Sequence, residues 1–524
     1  MVAPMNSARG DSASGDPARG EGRRPAGDRR RGGAAGGSWL TPAAIVKVAG
    51  GEVLQRGAAA QQVATDSRLE CAGRLFVALR GDSHDGHAHA AAAVRRGAAG
   101  VLIDRPLAEC PELQSLLAPS RTAAAAGEAP FVVRVPDTGR ALLDLAAEHR
   151  RRHRAKVVGI TGSCGKTSTK EWLGAVLASA MPTVRSPASF NNQIGVPMTL
   201  FAIGPDTRAA VVEIGTNAPG EIAQLSGVAR PDIGIVTCVA PAHLEGLGSL
   251  AGVMREKSAL PQSLPSEGLC ILNGDDASCR AMAATTKAAV QFTSVVGRAD
   301  WFATDVRFHA MGTTFLLNGE RQVTLPRMGT HNVYNALAVI AAASRLGVPE
   351  AIVLQQLAAV PSASRRLEPK FVGGVTIFDD TYNMNPKSAA AALHALAGLG
   401  GVGRRIVVFG EMLELGAHSQ SLHEALGGDV AATRQDLLVC VGDGARPIAA
   451  GALAAGMPAT TVHCVADAAA AFGLVRSAVQ PGDHVLCKAS RRIALDRLVD
   501  RLVGELGVQP FPAKSGAGSE HGAP

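Results

Sequence analysis

The stretch VVGITGSCGKTSTK spans residues 157–170. Its apolar start, Val157–Ile160, runs as a strand into a Gly-Ser-Cys-Gly turn, after which Lys166 and Thr167 open a helix. A strand, a glycine turn and a helix start in that order make a phosphate-binding loop. Backbone N–H groups and the positive end of a helix face the anion, Lys166 reaches it, and Thr167 is placed to ligate Mg²⁺. The residues of this cradle are Gly162, Ser163, Cys164, Gly165, Lys166, Thr167 and Ser168. In the common form a glycine stands five residues before the second glycine of the motif, and here Ile160 holds that place. The loop is therefore the shorter GxxGK[ST] kind, which restricts the field to a few families.

Outward from this loop, strands and helices alternate. Ala209–Ile214, Ile233–Val236 and Cys270–Leu272 read as further strands of one unit, residues 155–360, with the βαβ pattern of a doubly wound, mostly parallel sheet. Residues 300–326, with Gly312 and Gly319, predict a β-hairpin insertion, and an Ala-rich helix covers 331–346. Upstream, residues 39–154 form a first α/β unit with strands at Leu75–Leu79 and Val101–Ile103 and helices at His89–Arg96 and Asp137–Arg152. Its order begins near Trp39, with Thr41 as N-cap and Pro42 as first helical residue. Downstream, residues 361–511 form a third α/β unit with strands at Val375–Phe378, Ile406–Phe409, Leu437–Val441 and His484–Cys487. The flanks, 1–38 and 512–524, are polar, Gly-rich and without periodicity, and are expected to be disordered.

Three units suit a chain of 524 residues, too long for one core. Hydrophobic content of 47% with 3% aromatics predicts aliphatic cores and many helices. The net charge of +7 is fed partly by Arg23, Arg24, Arg29, Arg30 and Arg31 in the first arm. A basic balance fits a solvated arm or anionic nucleotide substrates better than a nucleic-acid surface. Nine cysteines without a CxxC pair argue for reduced thiols, against a disulfide framework or zinc site. No apolar leader precedes residue 39 and no run reaches the ~18 apolar residues of a membrane span. A soluble cytoplasmic protein is expected.

Several polar residues sit where strands end. Glu213 closes an apolar strand and suits Mg²⁺, or else faces solvent. His243 follows Ile233–Val236 and is either structural or the completion of a cation site. Lys257 lies on a helix and by itself reads as a solvated lysine. Asn332 and Asn335, three apart at a helix start, either cap it or present two amides to a nucleotide base or a Mg²⁺-bound water. Asp379 and Asp380 open FDDTYNMNP, an active-site loop or an Asx turn, with Arg365 and Arg366 upstream at a domain boundary, placed to swing onto a phosphate. Lys488, Ser490 and Arg491 in CKASRR suit a carboxylate clamp or a basic helix start.

Taken together these segments resemble the Mur ligases over about residues 39–511. TDSR (65–68), LFVALRGDSHDGH (75–87), TGSCGKTSTKE (161–171), SFNNQIGVPMTL (189–200), EIGTNAPGEI (213–222), AHLEGLGSLAGVMREK (242–257), HNVYNALA (331–338), DDTYNMNP (379–386), GEMLELG (410–416) and KASR (488–491) carry the resemblance in order. It implies three domains: an N-terminal α/β domain for a uridine nucleotide, a central P-loop domain for ATP and a C-terminal Rossmann-like domain. It implies an ATP- and Mg²⁺-dependent amide-bond ligase that joins D-alanyl-D-alanine to a UDP-N-acetylmuramoyl tripeptide through an acyl phosphate, a monomer with no nucleic-acid partner. A sister ligase acting on another muramoyl intermediate or on folate, or a non-catalytic nucleotide binder, are the alternatives.

Roles follow by position. Lys166 and Thr167 would hold the phosphates, and Thr167, Glu213, His243 and a carbamylated Lys257 the cations. Asn332, Asn335 and Arg366 would meet ATP, with Lys166, Lys257, His243 and Asp380 catalytic. Thr65, Ser67, Arg68, Asn191, Asn192, Asn383, Lys488, Ser490 and Arg491 would bind substrate. The chain departs from the family pattern at Cys164, where Asn is common, at Arg365 for Gly, at Glu411 for Asp and at Ala489 for Gly.

Overall fold

The computed structural model describes residues 38–81, 84–117, 129–309, 312–360, 364–399 and 403–507. The two flanks expected to be disordered lie outside these residues, apart from Ser38, whose hydroxyl donates to the carbonyl of Ala60.

Three sheets follow one another along the chain. The central one is built on the phosphate-loop strand, Lys156–Thr161. That strand lies between Ala209–Glu213 and Ile233–Val236, parallel to both. Thr183–Arg185 closes one edge, and Leu269–Asn273, Ala289–Ser294 and Trp301–His309 extend the other, all parallel. Strands buried on both faces must be apolar throughout, and VVGI, AAVV and IGIV are. The chain winds away in opposite directions on either side of Lys156–Thr161, so a crevice opens at the carboxyl ends of these strands, where Gly162, Glu213 and Thr237 stand.

Residues 300–326 differ from the single hairpin expected. They form three strands, Trp301–His309, Gly312–Leu317 and Arg321–Leu325, and continue the central sheet in antiparallel fashion. The first of them pairs with Ala289–Ser294, a strand whose half-exposed, polar sequence hid it.

Two glycines bring a helix close to this sheet. Gly159 and Gly234 are direct partners on neighbouring strands. A Cβ at Gly159 would lie 3.0 Å from Leu260 Cδ1 and one at Gly234 3.4 Å from Leu260 Cγ, so the bare backbone receives that leucine. Leu260 belongs to the helix Leu250–Ser263, and Lys257 lies three residues earlier on the same face, toward the crevice end of the sheet. Glu256 locks the same helix from the side, accepting from the backbone N–H of Gly220 at 2.6 Å and Ile222 at 2.7 Å.

The N-terminal sheet has the order Glu52–Gln55, Phe131–Arg134, Gly100–Ile103, Arg74–Val77, Gln62–Ala64, with only the first pair antiparallel. Its last helix, Thr138–Arg151, packs into a cluster shared with the central unit that contains Leu142, Leu145, Leu200, Ile203 and Leu225. The third sheet runs Glu368–Val372, Val375–Asp380, His484–Lys488, Arg405–Gly410, Leu437–Val441, Val462–Val465. Here the late strand His484–Lys488 sits between Val375–Asp380 and Arg405–Gly410, which makes a second switch point with Asp380 and Lys488 at its mouth. The helix Pro386–Ala397 carries Ala389, Ala392 and Leu393 into a hydrophobic cluster with Cys279, Met282 and Met328 of the central unit, so the two crevices face one another.

Candidate active site

The phosphate loop is shaped by two glycines that no other residue replaces. Gly162 has φ 146°, and a Cβ there would fall 1.9 Å from Thr237 Oγ1. Gly165 has φ 84°, and a Cβ there would fall 2.5 Å from Asn335 Oδ1. Between them Ser163 is pinned three ways. Its N–H donates to Cys238 O at 2.9 Å, its hydroxyl to Ala240 O at 3.0 Å, and it accepts from Ala240 N–H at 2.9 Å. The helix Lys166–Ala178 then aims its free N–H groups at the cavity. Lys166 folds back, and its ammonium donates to Gly162 O at 2.6 Å.

One turn of the same helix beyond Lys166 and Thr167 stands Lys170. Thr167 Oγ1 donates to Glu213 Oε1 at 3.2 Å, and Asn191 Nδ2 donates to the same oxygen at 2.9 Å. Lys170, fully buried, ion-pairs with Glu171 at 2.7 Å and lies 3.8 Å from Glu213 Oε2. That second oxygen of Glu213 is buried and has no hydrogen-bond partner. A buried, incompletely satisfied carboxylate beside a threonine hydroxyl is an oxygen donor set of the kind Mg²⁺ takes. Asn335 Oδ1 accepts from Thr169 at 3.2 Å and its amide donates to Asn332 Oδ1 at 3.3 Å, so the two amides share one helix face beneath the loop.

The third sheet closes the cavity from the opposite side. Arg366 donates to Thr167 Oγ1 at 3.1 Å, and its guanidinium stacks 4.1 Å over the Tyr382 ring. The Tyr382 hydroxyl meets Ser189 Oγ at 2.6 Å. Lys488 Nζ holds Asp380 Oδ2 at 2.6 Å and Asn383 O at 2.9 Å. Burial pushes the Asp380 carboxyl upward, against the pull of Lys488 and Arg366. Asn385, which caps the helix Pro386–Ala397, donates to Ser163 O at 3.4 Å, and Lys387 pairs with Asp276 at 2.7 Å. A cavity of about 720 Å³ lies between the two halves. Its walls include Cys164, Lys166, Thr167, Glu213, His331, Asn332, Asn335, Arg366, Asp380 and Lys488.

Most of the residues named from sequence meet here: Ser163, Gly165, Ser168, Asn191, His243 and Asn383 also line the cavity. Lys257 is buried, and its ammonium is pushed down to about 7, first by burial and next by the charge of Lys166. His243 has left-handed backbone, φ 55°, and its Nδ1 lies 2.6 Å from Glu414 Oε2 of the third unit, a contact that holds the Glu414 carboxyl below its ordinary value.

Other residues do not meet there. Asp379 alternates to the far side of its strand, where Thr381 donates to it at 2.6 Å, so only one of the paired acids faces the cavity. Ser490 accepts from Leu413 N–H at 2.9 Å, Arg491 pairs with Asp496 at 3.2 Å on the surface, and neither lines the cavity. Thr65, Ser67 and Arg68 lie on the N-terminal unit, where Arg68 grips Asp66 at 2.8 Å. Asn192 lines a second cavity of about 430 Å³ between the first and central units, with Arg80, Asp137, Arg140 and Gln193. Lys170, Lys387 and Ser189 went unread in the sequence, as did Cys238. Only Lys170 carried a signal, its position one turn beyond Lys166.

The same arrangement is known elsewhere. Residues 160–343 match the Mur ligase middle domain and residues 365–491 the Mur ligase glutamate ligase domain. UDP-N-acetylmuramoyl-tripeptide–D-alanyl-D-alanine ligase of Escherichia coli is 35% identical over 77% of this chain and 86% of its own length. The chain belongs to the Mur ligase family. Among solved structures, MurF from Acinetobacter baumannii superposes with a TM-score of 0.78, at 29% identity over 89% of this chain and 99% of that one. The MurF ligase of Thermotoga maritima in complex with ADP gives 0.73, at 25% identity over 85% of this chain and 97% of that one. As in those Mur ligases, three α/β sheets, mostly parallel, follow one another here. Among the described residues no helix is long and apolar enough to cross a membrane.

Proposed function

We propose that this Mur ligase joins D-alanyl-D-alanine to a UDP-N-acetylmuramoyl tripeptide at the expense of ATP, forming the pentapeptide precursor of peptidoglycan. The family supports the ATP-dependent ligase, and the 35% identity to the E. coli enzyme supports the substrates. The observation that carries the chemistry is the cavity itself, with a phosphate loop on one wall and Arg366, Asp380 and Lys488 on the other.

The triphosphate lies along the loop, with Lys166 exchanging Gly162 O for phosphate oxygen and the N–H groups of the helix start facing the charge. Arg366, already at Thr167, reaches the same phosphates from the third unit. The tripeptide carboxylate attacks the γ-phosphate, ADP leaves, and the acyl phosphate is attacked by the amine of the dipeptide, releasing phosphate. Catalysis of this kind is mostly positioning and charge stabilisation in a site from which water is excluded. Lys166 and Arg366 offset the charge that moves toward the β–γ bridge.

Thr167 and Glu213 fit Mg²⁺, with His243 on the same wall and Lys257 nearby. A bound Mg²⁺ supplies Lewis-acid stabilisation of the phosphates. A lysine amine that titrates near 7 is substantially neutral at physiological pH, and the neutral amine is the form that adds CO₂. Carbamylation of Lys257 turns a buried cation into an oxygen donor and relieves its repulsion with Lys166. Asn191, which holds Glu213, and Asn383, whose carbonyl holds Lys488, position these groups.

The test is phosphate release from ATP and Mg²⁺ with the UDP-muramoyl tripeptide, with and without D-alanyl-D-alanine, with the product identified by mass. Release that requires the dipeptide, with pentapeptide formed, is the expected result. Turnover with a single amino acid in place of the dipeptide would move the chain to a sister activity.

A further inference from the structure

Cys164, the residue at the centre of the phosphate loop, does not face the cavity alone. Its Sγ lies 2.9 Å from Sγ of Cys238, in the segment that follows the strand Ile233–Val236. Both are free thiols. The backbones that carry them are already tied together: Ser163 N–H donates to Cys238 O at 2.9 Å and Thr237 Oγ1 donates to Cys164 O at 2.5 Å. A disulfide needs about 2.05 Å between the sulfurs. Side-chain rotation over about 0.9 Å closes the gap from 2.9 Å.

We propose that Cys164 and Cys238 form a peroxide-sensitive dithiol whose closure to a disulfide reversibly disables the phosphate loop. The proposal rests on that loop being the ATP site.

The surroundings suit the chemistry. Cys164 is partly exposed, Cys238 is buried behind it, and both residues line the 720 Å³ cavity, which gives a small oxidant its approach to the pair. Lys387 and Lys166 place positive charge nearby. A proton shared between the sulfurs favours a thiolate on Cys238, whose acidity is raised by that hydrogen bond, while Cys164 is held protonated. The thiolate attacks the O–O bond of hydrogen peroxide. One oxygen stays on sulfur as a sulfenic acid, and the other leaves as hydroxide and takes up a proton. The second sulfur then displaces the sulfenic hydroxyl, which departs with that thiol's proton as water. Two thiols and one peroxide give one disulfide and two waters. A dithiol reductant reverses the product by exchange.

The consequence lies in the loop's tolerances. Cys164 sits between Gly162 and Gly165, both held at positive φ and packed against Thr237 and Asn335, so the loop has no slack to absorb a side chain drawn toward Cys238. A displacement approaching 1 Å in a phosphate cradle costs on the order of a hundredfold in turnover. No other cysteine shares this setting. Cys71, Cys110, Cys270, Cys279 and Cys487 are buried and, unlike the equally buried Cys238, line no part of this cavity. Cys440 and Cys464 stand in register on adjacent strands at the far edge of the third sheet, which makes them the internal control.

The experiment treats the full-length reduced chain with hydrogen peroxide, with and without Mg²⁺-ATP, and maps thiols by differential alkylation and peptide mass. ATP binding and ATP-dependent phosphate release are followed before treatment, after it, and after dithiothreitol. The expected outcome is a cross-linked peptide pair joining Cys164 to Cys238, about a hundredfold loss of turnover that dithiothreitol restores, and slower oxidation with ATP bound. Cys238→Ser should keep its own untreated activity through the same peroxide dose, whereas Cys440→Ser should be inactivated like the parent. Sulfinic acid at Cys238 or Cys164 without the cross-link overturns the proposal, and so does a cross-link that leaves ATP binding and turnover intact. A reduced chain that binds no ATP would sink the nucleotide reading instead, while the peptide map would still report on the sulfur pair.

Discussion

Replacing Lys488 by methionine isolates what the buried charge at the cavity mouth costs. Lys488 Nζ and Asp380 Oδ2 are 2.6 Å apart, with side-chain exposures of 3% and 13%. At an effective dielectric constant of about 20 their attraction is roughly 6 kcal/mol. Yet the Asp380 carboxyl is raised above its ordinary value, so desolvation outweighs the attraction and the intact pair adds little net stability. Lys488→Met leaves Asp380 with only the Leu367 N–H at 3.2 Å and the more distant charge of Arg366. Stranding a buried carboxylate costs about 3–5 kcal/mol at neutral pH.

The sign with pH follows from linkage. In the variant, folded Asp380 holds its proton to higher pH than the unfolded chain does, so stability falls as pH rises above the unfolded value of about 3.9. The deficit should therefore shrink by roughly 1–3 kcal/mol between pH 7 and pH 5. Adding Asp380→Asn should recover at least half of it. The chain's three tryptophans, Trp39, Trp172 and Trp301, all precede the third sheet. The assay is therefore hydrogen exchange of peptides covering 375–380 and 484–488, read by mass. A deficit that stays constant between pH 5 and 7, or a double variant as unstable as Lys488→Met, would refute this account of the pair.

Lys166→Met should lower ATP-dependent phosphate release by about 10²–10³-fold, because it removes the cation proposed to exchange Gly162 O for phosphate oxygen; steady-state kinetics with varied ATP reads the loss. After depletion of dissolved CO₂ near pH 7, the activity of the parent should rise on adding bicarbonate, and that of Lys257→Met should not respond. His149 accepts from Trp39 Nε1 at 3.2 Å through Nδ1 and meets Ile203 O at 2.9 Å through Nε2, so its neutral Nε2–H form is satisfied on both sides. Burial holds it down to about 4 from 6.5. Because the unfolded chain binds the proton first, stability should fall as pH drops from 6.5 toward 4 by at most roughly 3 kcal/mol, and His149→Gln should show a flatter profile in denaturant titrations.

How far the residues alone reveal this architecture depends on burial. Ile233–Val236 and Leu437–Val441 are buried on both faces and read as strands end to end. Glu52–Gln55 and Thr183–Arg185 lie at sheet edges, are exposed or half-exposed, and carry no such pattern, so only their partners reveal them. The loop is legible because its chemistry is local: glycines, lysine and threonine act where they stand in the chain. Lys170 and Lys387 are not legible in that way. A helical lysine is ordinarily solvated, and nothing near Lys170 in sequence announces that Glu213, on another strand, will bury it. Arg491 misleads for the opposite reason, since Asp496, five residues on, holds it at the surface. The pair Asp379–Asp380 is a case where strand alternation, applied to the sequence, already excludes both acids from one face. Ala489, which departs from the family's glycine, has its methyl where a Cβ on Gly410 would come within 2.7 Å, so the neighbouring strand supplies the room.

The contacts between the central and third units divide into two kinds. Lys387 with Asp276, Tyr382 with Ser189 and the helix Pro386–Ala397 in its shared apolar cluster leave the loop's N–H groups unengaged. Arg366 with Thr167, like Lys166 with Gly162 O inside the central unit, engages groups that the proposed triphosphate would need. The first set can persist when nucleotide enters, whereas the second must be traded for phosphate oxygens. Exchange of one charge-assisted bond for another keeps the cations from being stranded at either stage, which is the costly alternative. The third unit is thus held over the loop by contacts that leave its N–H groups free, Asn385 with Ser163 O among them, and on the proposed reading Arg366 already stands near its target. On the proposed reading, recognition of the γ-phosphate requires short side-chain shifts in place of a search by a whole domain, and the acyl phosphate would form in a cavity whose walls are already assembled.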